Sequence, residues 1–267
     1  MYRLLTEQEK NILIENGCSA DNWDNIHVTE NFSANYIKKV EFSGNINLGA
    51  FDNVFAQAGG FTVHSGIYEA RLHNVSVGDN CYIHSIHNYI ANYNIGNNVF
   101  IENTNLIVVD GESAFGNGVR VPVMNETGGR EIPIYDYLCA PLAYILAMYR
   151  HDTELVEKLE QMITTYAEKQ KSTTGYKGDN VKIVNCGTIK NVRIGEYTTL
   201  GGVSKLNNGS INSNSHAPVH IGSGVKCNDF ILCSGVDSQS STFHHSMQLT
   251  FFRSGLQDFH YQKSCLL

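Results

Sequence analysis

Proline is scarce in this chain, four residues in 267, and there is a single tryptophan. No Cys-x-x-Cys pair occurs: the seven cysteines, at 18, 81, 139, 186, 227, 233 and 265, are odd in number and scattered. Such spacing argues against a disulfide framework and against a zinc knuckle, so no metal is expected and a reduced, cytoplasmic setting is. Positive charge is not in excess either. With 19 Lys and Arg against 26 Asp and Glu the formal charge is −7, which disfavours nucleic acid or an anionic lipid surface as partner. Long apolar runs are also missing. The opening MYRLLTEQEK has no signal core, and the longest apolar stretch, near 138–149, is short and holds Pro141. No membrane span is expected.

What the chain has in quantity is asparagine, 28 residues, and glycine, 24. These are the residues that most readily take left-handed backbone angles, so the chain is expected to turn corners often. The corners show a period. Val77-Gly78-Asp79-Asn80 returns as Ile95-Gly96-Asn97-Asn98, 18 positions later, and Val77, Ile83, Tyr89, Ile95, Ile101 and Ile107 fall six apart. Neither an amphipathic helix nor a flat strand has that period. A triangular coil does: each hexad supplies a short strand and a corner, and three hexads make one turn.

The step resumes at Thr188, Ile194, Leu200 and Leu206, with the smaller Val192, Thr198, Ser204 and Ser210 four places after each. Large at the first place and small at the fifth suits a tightly stacked coil. By that register His87 and Tyr93 stand where small residues are expected. Ile221 through Cys227 and Cys233 keeps the step, and Ile37–Leu48 with Ala50–Phe61 reads as a degenerate first coil.

The stretches IGEYTTLGG (194–202) and PVHIGSGVKCNDFILCSGV (218–236) resemble the hexapeptide-repeat superfamily. That resemblance implies a mainly β fold, a left-handed parallel β-helix. LHNVSVGDN (72–80), HNYIANYNI (87–95) and NETGGREIPIYDYL (125–138) are similar to an uncharacterised bacterial β-helix family, a domain of unknown function whose members are longer. After about 240 the hexads stop.

Two segments break the coil. Thr6-Glu7-Gln8-Glu9 has capping-box spacing and Gly17 is a plausible stop, which predicts a short N-terminal helix. Tyr135, Leu138, Leu142, Ile145 and Tyr149, then Leu155, Leu159, Ile163 and Tyr166, step by three and four, with Asp152 placed to cap the second run. They predict a helical hairpin inserted between coils, packed either on the β-helix or against another subunit. The expected organisation is an N-terminal helical cap over 1–36, coils over 37–124, the inserted hairpin over 125–176, further coils over 177–240 and an irregular tail over 241–267.

Proteins of the hexapeptide-repeat superfamily are often acyltransferases, in which a histidine takes the proton from a hydroxyl or amine attacking an acyl thioester. The resemblance places that role on His216, in the loop NNGSINSNSHAPVHIG (207–222), with Asn214 and His220 beside it as substrate contacts. Thr127, Gly128, Gly129 and Arg130 read as an anion pocket, because a Gly-Gly loop ahead of a helix exposes backbone amides and an arginine pairs with phosphate. His64, His84 and His87 are further candidates; a structural role for His87 at a coil corner is the plainer reading.

The leading expectation is therefore a transferase moving an acyl group from acyl-CoA to a sugar or nucleotide-sugar. The small-molecule substrate is its expected partner, in a homo-oligomer, a trimer or a dimer. The alternative is a non-catalytic ligand-binding or assembly module.

Overall fold

The computed structural model describes residues 2–123, 129–239 and 242–248, the last of these by backbone alone. It is mainly β. One large sheet is parallel throughout except where Tyr2–Leu4 runs antiparallel to Ile26–Thr29. Strands Tyr82–Ile95, Gly175–Lys177, Thr188–Ile194 and Phe100–Val108 pair in turn to close a ring of four, and other strands continue the stack on both sides. Equivalent positions in successive rungs lie 18 residues apart near Asp79 and Asn97, 17 apart near Asn92 and Val109, and 21 apart near Asn208 and Asp229.

Parallel register lines the interior with three columns of side chains. One holds Ile67, Ile83, Ile101, Ile183, Leu200 and Ile221, each paired with the next. The second runs Leu72, Ile90, Ile107, Ile189, Leu206, Cys227. The third runs Val28, Leu48, Val77, Ile95, Lys177, Ile194, Ile211, Leu232. All are buried. Burying one aliphatic side chain stabilises by roughly 1.5–3 kcal/mol, so columns of this length carry the fold.

The corners follow from composition. Of the fifteen non-glycine residues with positive φ among the described residues, nine are asparagines, among them Asn80, Asn98 and Asn180 at equivalent corners. Their side chains and those beside them climb the stack: the Asp79 amide donates to Asn97 Oδ1 (2.8 Å), the Asn97 amide to Asp179 Oδ1 (2.7 Å), and Asn103 Nδ2 to Asn185 Oδ1 (2.6 Å). Corner amides that no strand can pair are satisfied this way. Gly78 is required by close approach, since a Cβ there would lie 2.6 Å from the Gly96 carbonyl oxygen.

The six-residue step holds on one face and slips on another. Tyr89 and Thr188 are only half-buried; Ile90 and Ile189, one place later, fill the core, and the pairing shifts register between Ile86 and Tyr89. His87, within that slip, faces solvent, and Ser204 is exposed beside a buried Val203. Tyr93 does sit inside. Its ring lies over Gly175 of the next rung, where a Cβ would stand 2.3 Å from Cε1. The size of one residue is answered by the absence of a side chain on the other. Phe230 and Gly209 repeat the device.

The N-terminal helix α1, Glu7–Glu15, has the capping box between Thr6 and Glu9, and Gly17 follows with φ 77°. Ile37–Leu48 forms a rung on Gly66–Val77, but between them Val54–Ala56 and Thr62–His64 make an antiparallel hairpin instead of a coil. The larger excursion begins with a second hairpin, Arg120–Pro122 against Glu131–Pro133. Helices α2, Ala140–Met148, and α3, Thr153–Gln170, come next, with Asp152 accepting from the Leu155 amide. The buried face of α2 is Ala143, Leu146 and Ala147, so Leu142 and Ile145 are only partly covered and Tyr149 is exposed.

This excursion packs on the protein's own stack. Val121, Ile132, Leu138, Leu146 and Ile163 form one cluster with Ile231, which projects from a rung. The expected stop at 240 is also corrected: Thr242–Gln248 pairs in parallel with Lys226–Leu232 and adds a further rung. No helix among the described residues is long and apolar enough to cross a membrane.

Candidate functional site

In a parallel stack, whatever follows an inward residue faces out, and register stacks it on its counterparts. The residues after Ile37, Ile67, Ile83 and Ile101 are Lys38, Tyr68, His84 and Glu102, and they pair in that order. The positions before three of those isoleucines give Gly66, Tyr82 and Phe100. One outer face of the stack thus carries a cation, two phenols, an imidazole and a carboxylate within a few rungs.

The hairpin at 54–64 folds over this face. Phe55 lies 5.4 Å from the Phe100 ring, and Tyr82 stacks on Phe100 at 4.8 Å. His64 ends the hairpin with its ring flat on Tyr36, centroids 3.8 Å apart and planes 9° from parallel. Its Nδ1 is 2.8 Å from the Ser65 carbonyl oxygen. A carbonyl only accepts, so Nδ1 bears the proton and Nε2 is left as the acceptor. Ser65 is fully buried, its hydroxyl accepts from the Asn53 amide at 3.1 Å, and Gly66 is tight against the Tyr36 carbonyl, where a Cβ would be 2.3 Å from the oxygen. The imidazole therefore stands on a rigid base.

Between hairpin and rungs lies a cleft of about 370 Å³ lined by Lys38, Lys39, His64, Tyr68, Glu69, Tyr82 and His84, with Val63. His84 Nδ1 is 3.8 Å from Glu102 Oε1 and its Nε2 4.0 Å from Glu69 Oε2, while Lys39 Nζ reaches Glu69 at 3.1 Å. Burial raises the Tyr68 and Tyr82 phenols above their ordinary range, so both remain hydrogen-bond donors near neutral pH.

A second groove, about 510 Å³, runs along the seam where the excursion meets the stack. Asp136 is among its lining residues, its carboxylate paired with Arg193 and accepting from the Tyr166 hydroxyl (3.0 Å) and from Asn212 Nδ2 (3.1 Å). Arg193 Nη1 also reaches Gln170 Oε1 at 2.6 Å. Burial and the Asp136 charge raise the Tyr166 phenol, which stays protonated and donates.

A family model described as Domain of unknown function (DUF4954) matches residues 2–248. The chain belongs to that family. An uncharacterised protein of Treponema pallidum (strain Nichols) is 30% identical over 236 residues, which are 84% of this chain and 32% of that relative. The chain thus spans about a third of the length of the curated relative it matches.

In this family member the residues expected to act are dispersed. His64 and His84 meet in the first cleft. His87 is exposed and lines neither cleft, with Nε2 2.6 Å from the side-chain oxygen Asn103 Oδ1. His216 is exposed in a turn whose amides, its own and that of Ala217, both donate to Asn214 Oδ1 at 3.0 Å. That turn uses Asn214 internally, and His216 lines neither cleft. His220 is exposed at the start of a two-residue strand.

Thr127 and Gly128 lie outside the described residues. Gly129 and Arg130 are exposed, and the Gly129 amide donates to Glu131 Oε1 at 2.8 Å. A carboxylate of the chain thus occupies an amide that was read as anion-binding. The loop leads into the strand Glu131–Pro133 rather than a helix near Pro133, which removes the helix terminus from the anion-pocket reading. The sequence alone does not single out Lys38, Lys39, Tyr68, Glu69, Tyr82 or Glu102. The signal for most of them was there: they flank the inward isoleucines.

Proposed function

We propose that the stack is a left-handed β-helix of the hexapeptide-repeat kind and that the protein is a transferase, moving an acyl group from acyl-CoA to a sugar or nucleotide-sugar bound in the first cleft. The observation that carries the reading is the His64 hydrogen bond to the Ser65 carbonyl, which leaves Nε2 as a base at a cleft holding Lys38, Lys39 and two phenols. His64 takes the place that sequence resemblance gave to His216.

The chemistry fits the groups present. Nε2 removes the proton as the acceptor hydroxyl or amine attacks the thioester carbonyl; the carbon–oxygen or carbon–nitrogen bond forms, the carbon–sulfur bond breaks, and the proton passes to the departing thiolate. Lys38 offers a cation for a phosphate, and Tyr68 and Tyr82 offer ring faces and hydroxyl donors. His84, held between Glu69 and Glu102, binds and orients.

The test is release of free thiol from acetyl-CoA with UDP-glucose or an amino-sugar nucleotide as acceptor. Turnover by the native chain that His64→Gln abolishes supports the mechanism; turnover that survives His64→Gln rejects it. The assembly reading is favoured by a different observation, the exposure of Tyr144, Met148, Tyr149 and Met162 on α2, its C-terminal end and α3. A concentration-dependent sedimentation coefficient lost in Met148→Glu/Met162→Glu would support that reading.

A further inference from the structure

The groove at the seam shares no lining residue with the first cleft and takes no part in the reaction proposed there. Its makeup is different in kind. The first cleft has two lysines on its wall; the groove has one cation and one carboxylate, Arg193 and Asp136, and they are paired to each other. A phosphate or carboxylate ligand would find no unmatched positive charge there and would meet a carboxylate on the floor.

What the groove does offer is aromatic surface and neutral polar groups. Tyr137 is 71% exposed and Tyr176 50% exposed, large fractions for residues set at the rim of a concave surface. Tyr137 is fixed in place by edge contacts to Tyr135 and Tyr166, with centroids 6.4 and 5.6 Å away. The same lining holds the Gln170 and Asn212 amides; Gln170 Oε1 accepts from Arg193 and Asn212 Nδ2 donates to Asp136, so Gln170 Nε2 and Asn212 Oδ1 are the atoms that face a ligand's hydroxyl groups. Two exposed rings, one of them held by its neighbours, together with two side-chain amides match a molecule with an apolar C–H face and many hydroxyl groups. The volume, about 510 Å³, admits one or two pyranose rings.

We propose that this groove binds an uncharged saccharide, stacked on Tyr137 and Tyr176 and hydrogen-bonded to Gln170 and Asn212. The site is made jointly by the excursion and the stack, which gives the inserted helices a role beyond bracing the rungs.

Saturation-transfer NMR on the full chain, with glucose, N-acetylglucosamine and maltotriose as probes, tests this. Transfer to ring protons of at least one probe is expected, with Tyr137→Ala/Tyr176→Ala weakening its affinity by about tenfold. Both side chains are exposed, so an unchanged melting temperature will show the variant folded. Glucose 6-phosphate should bind the groove no better than glucose. Absence of transfer with all three sugars overturns the proposal, as does transfer undiminished in the double variant. Loss on His64→Gln instead would put the saccharide in the first cleft, overturning this proposal while leaving the transferase reading intact.

Discussion

Tyr93 and Val192, 99 residues apart, share two hydrogen bonds: the phenol donates to the Val192 carbonyl at 2.7 Å and accepts from the Val192 amide at 3.3 Å. The ring crosses the empty place at Gly175 to reach a rung beyond its neighbour. A single side chain thus ties the rungs before the excursion to those after it. Burial raises this phenol far above its ordinary range, so it stays a donor throughout the working pH range.

Tyr93→Phe should destabilise by about 1–3 kcal/mol, because a buried carbonyl and amide lose their partner while the ring still packs. Gly175→Ala should cost about as much or more, by forcing the ring aside. Urea denaturation of both variants measures this, and a Tyr93→Phe/Gly175→Ala double variant should show strong non-additivity.

Lys177 is the odd member of its column. It lies between Ile95 and Ile194, fully buried, with Nζ lacking a hydrogen-bond partner among the described residues and 4.8 Å from the Tyr93 ring centroid. Burial lowers its pKa to about 7 from 10.5, with the nearby Cys81 and Cys186 opposing the shift. The unfolded chain keeps this proton up to about pH 10.5 while the folded chain releases it near 7, so its contribution to stability rises with pH between those values. Lys177→Met should therefore stabilise the protein, by on the order of 3–5 kcal/mol below pH 7. The gain over the native chain should shrink as pH rises towards 10. A gain that is constant with pH would contradict the assignment.

His64→Gln should lower turnover by about 10²–10⁴-fold, the range for loss of a general base, with melting temperature little changed because the side chain is only half-buried. Lys38→Ala should raise KM for a phosphorylated acceptor more than it lowers kcat. Steady-state kinetics separates the two effects.

Asp136→Ala removes the common partner of Arg193, Tyr166 and Asn212. Loss of this paired, almost buried carboxylate should loosen the excursion by about 1–3 kcal/mol. Limited proteolysis should then cut within 120–174 at protease levels that leave the native chain whole. The rungs themselves should keep their cooperative melt.

The sequence and the structure agree most where chemistry is local. The capping box at Thr6 and Glu9, the Asp152 cap and the Asn corners needed only near neighbours to be legible. The six-residue step located the column of Ile83 and Ile101 but missed the slip to Ile90, because a corner takes one more residue wherever register shifts. Tyr93 reads as a misfit in sequence, since the glycine that accommodates it in the next rung is 82 residues further along the chain. The cleft was half legible. His64 and His84 stood out as histidines, but their shared wall depends on pairing between rungs and on a hairpin where a coil was expected. His216 followed from resemblance in a loop, and the turn around it has different work, satisfying its own amides.

The rungs on either side of the excursion meet with a sequence separation of 82 at Asn97 and Asp179 and again at Asn103 and Asn185. Between Asp79 and Asn97, where nothing intervenes, the corresponding separation is 18. The stack does not register the difference: the same corner ladder runs unbroken across the join. The excursion is thus a cassette: its two ends re-enter the stack in register, so its length does not re-index the scaffold that carries it.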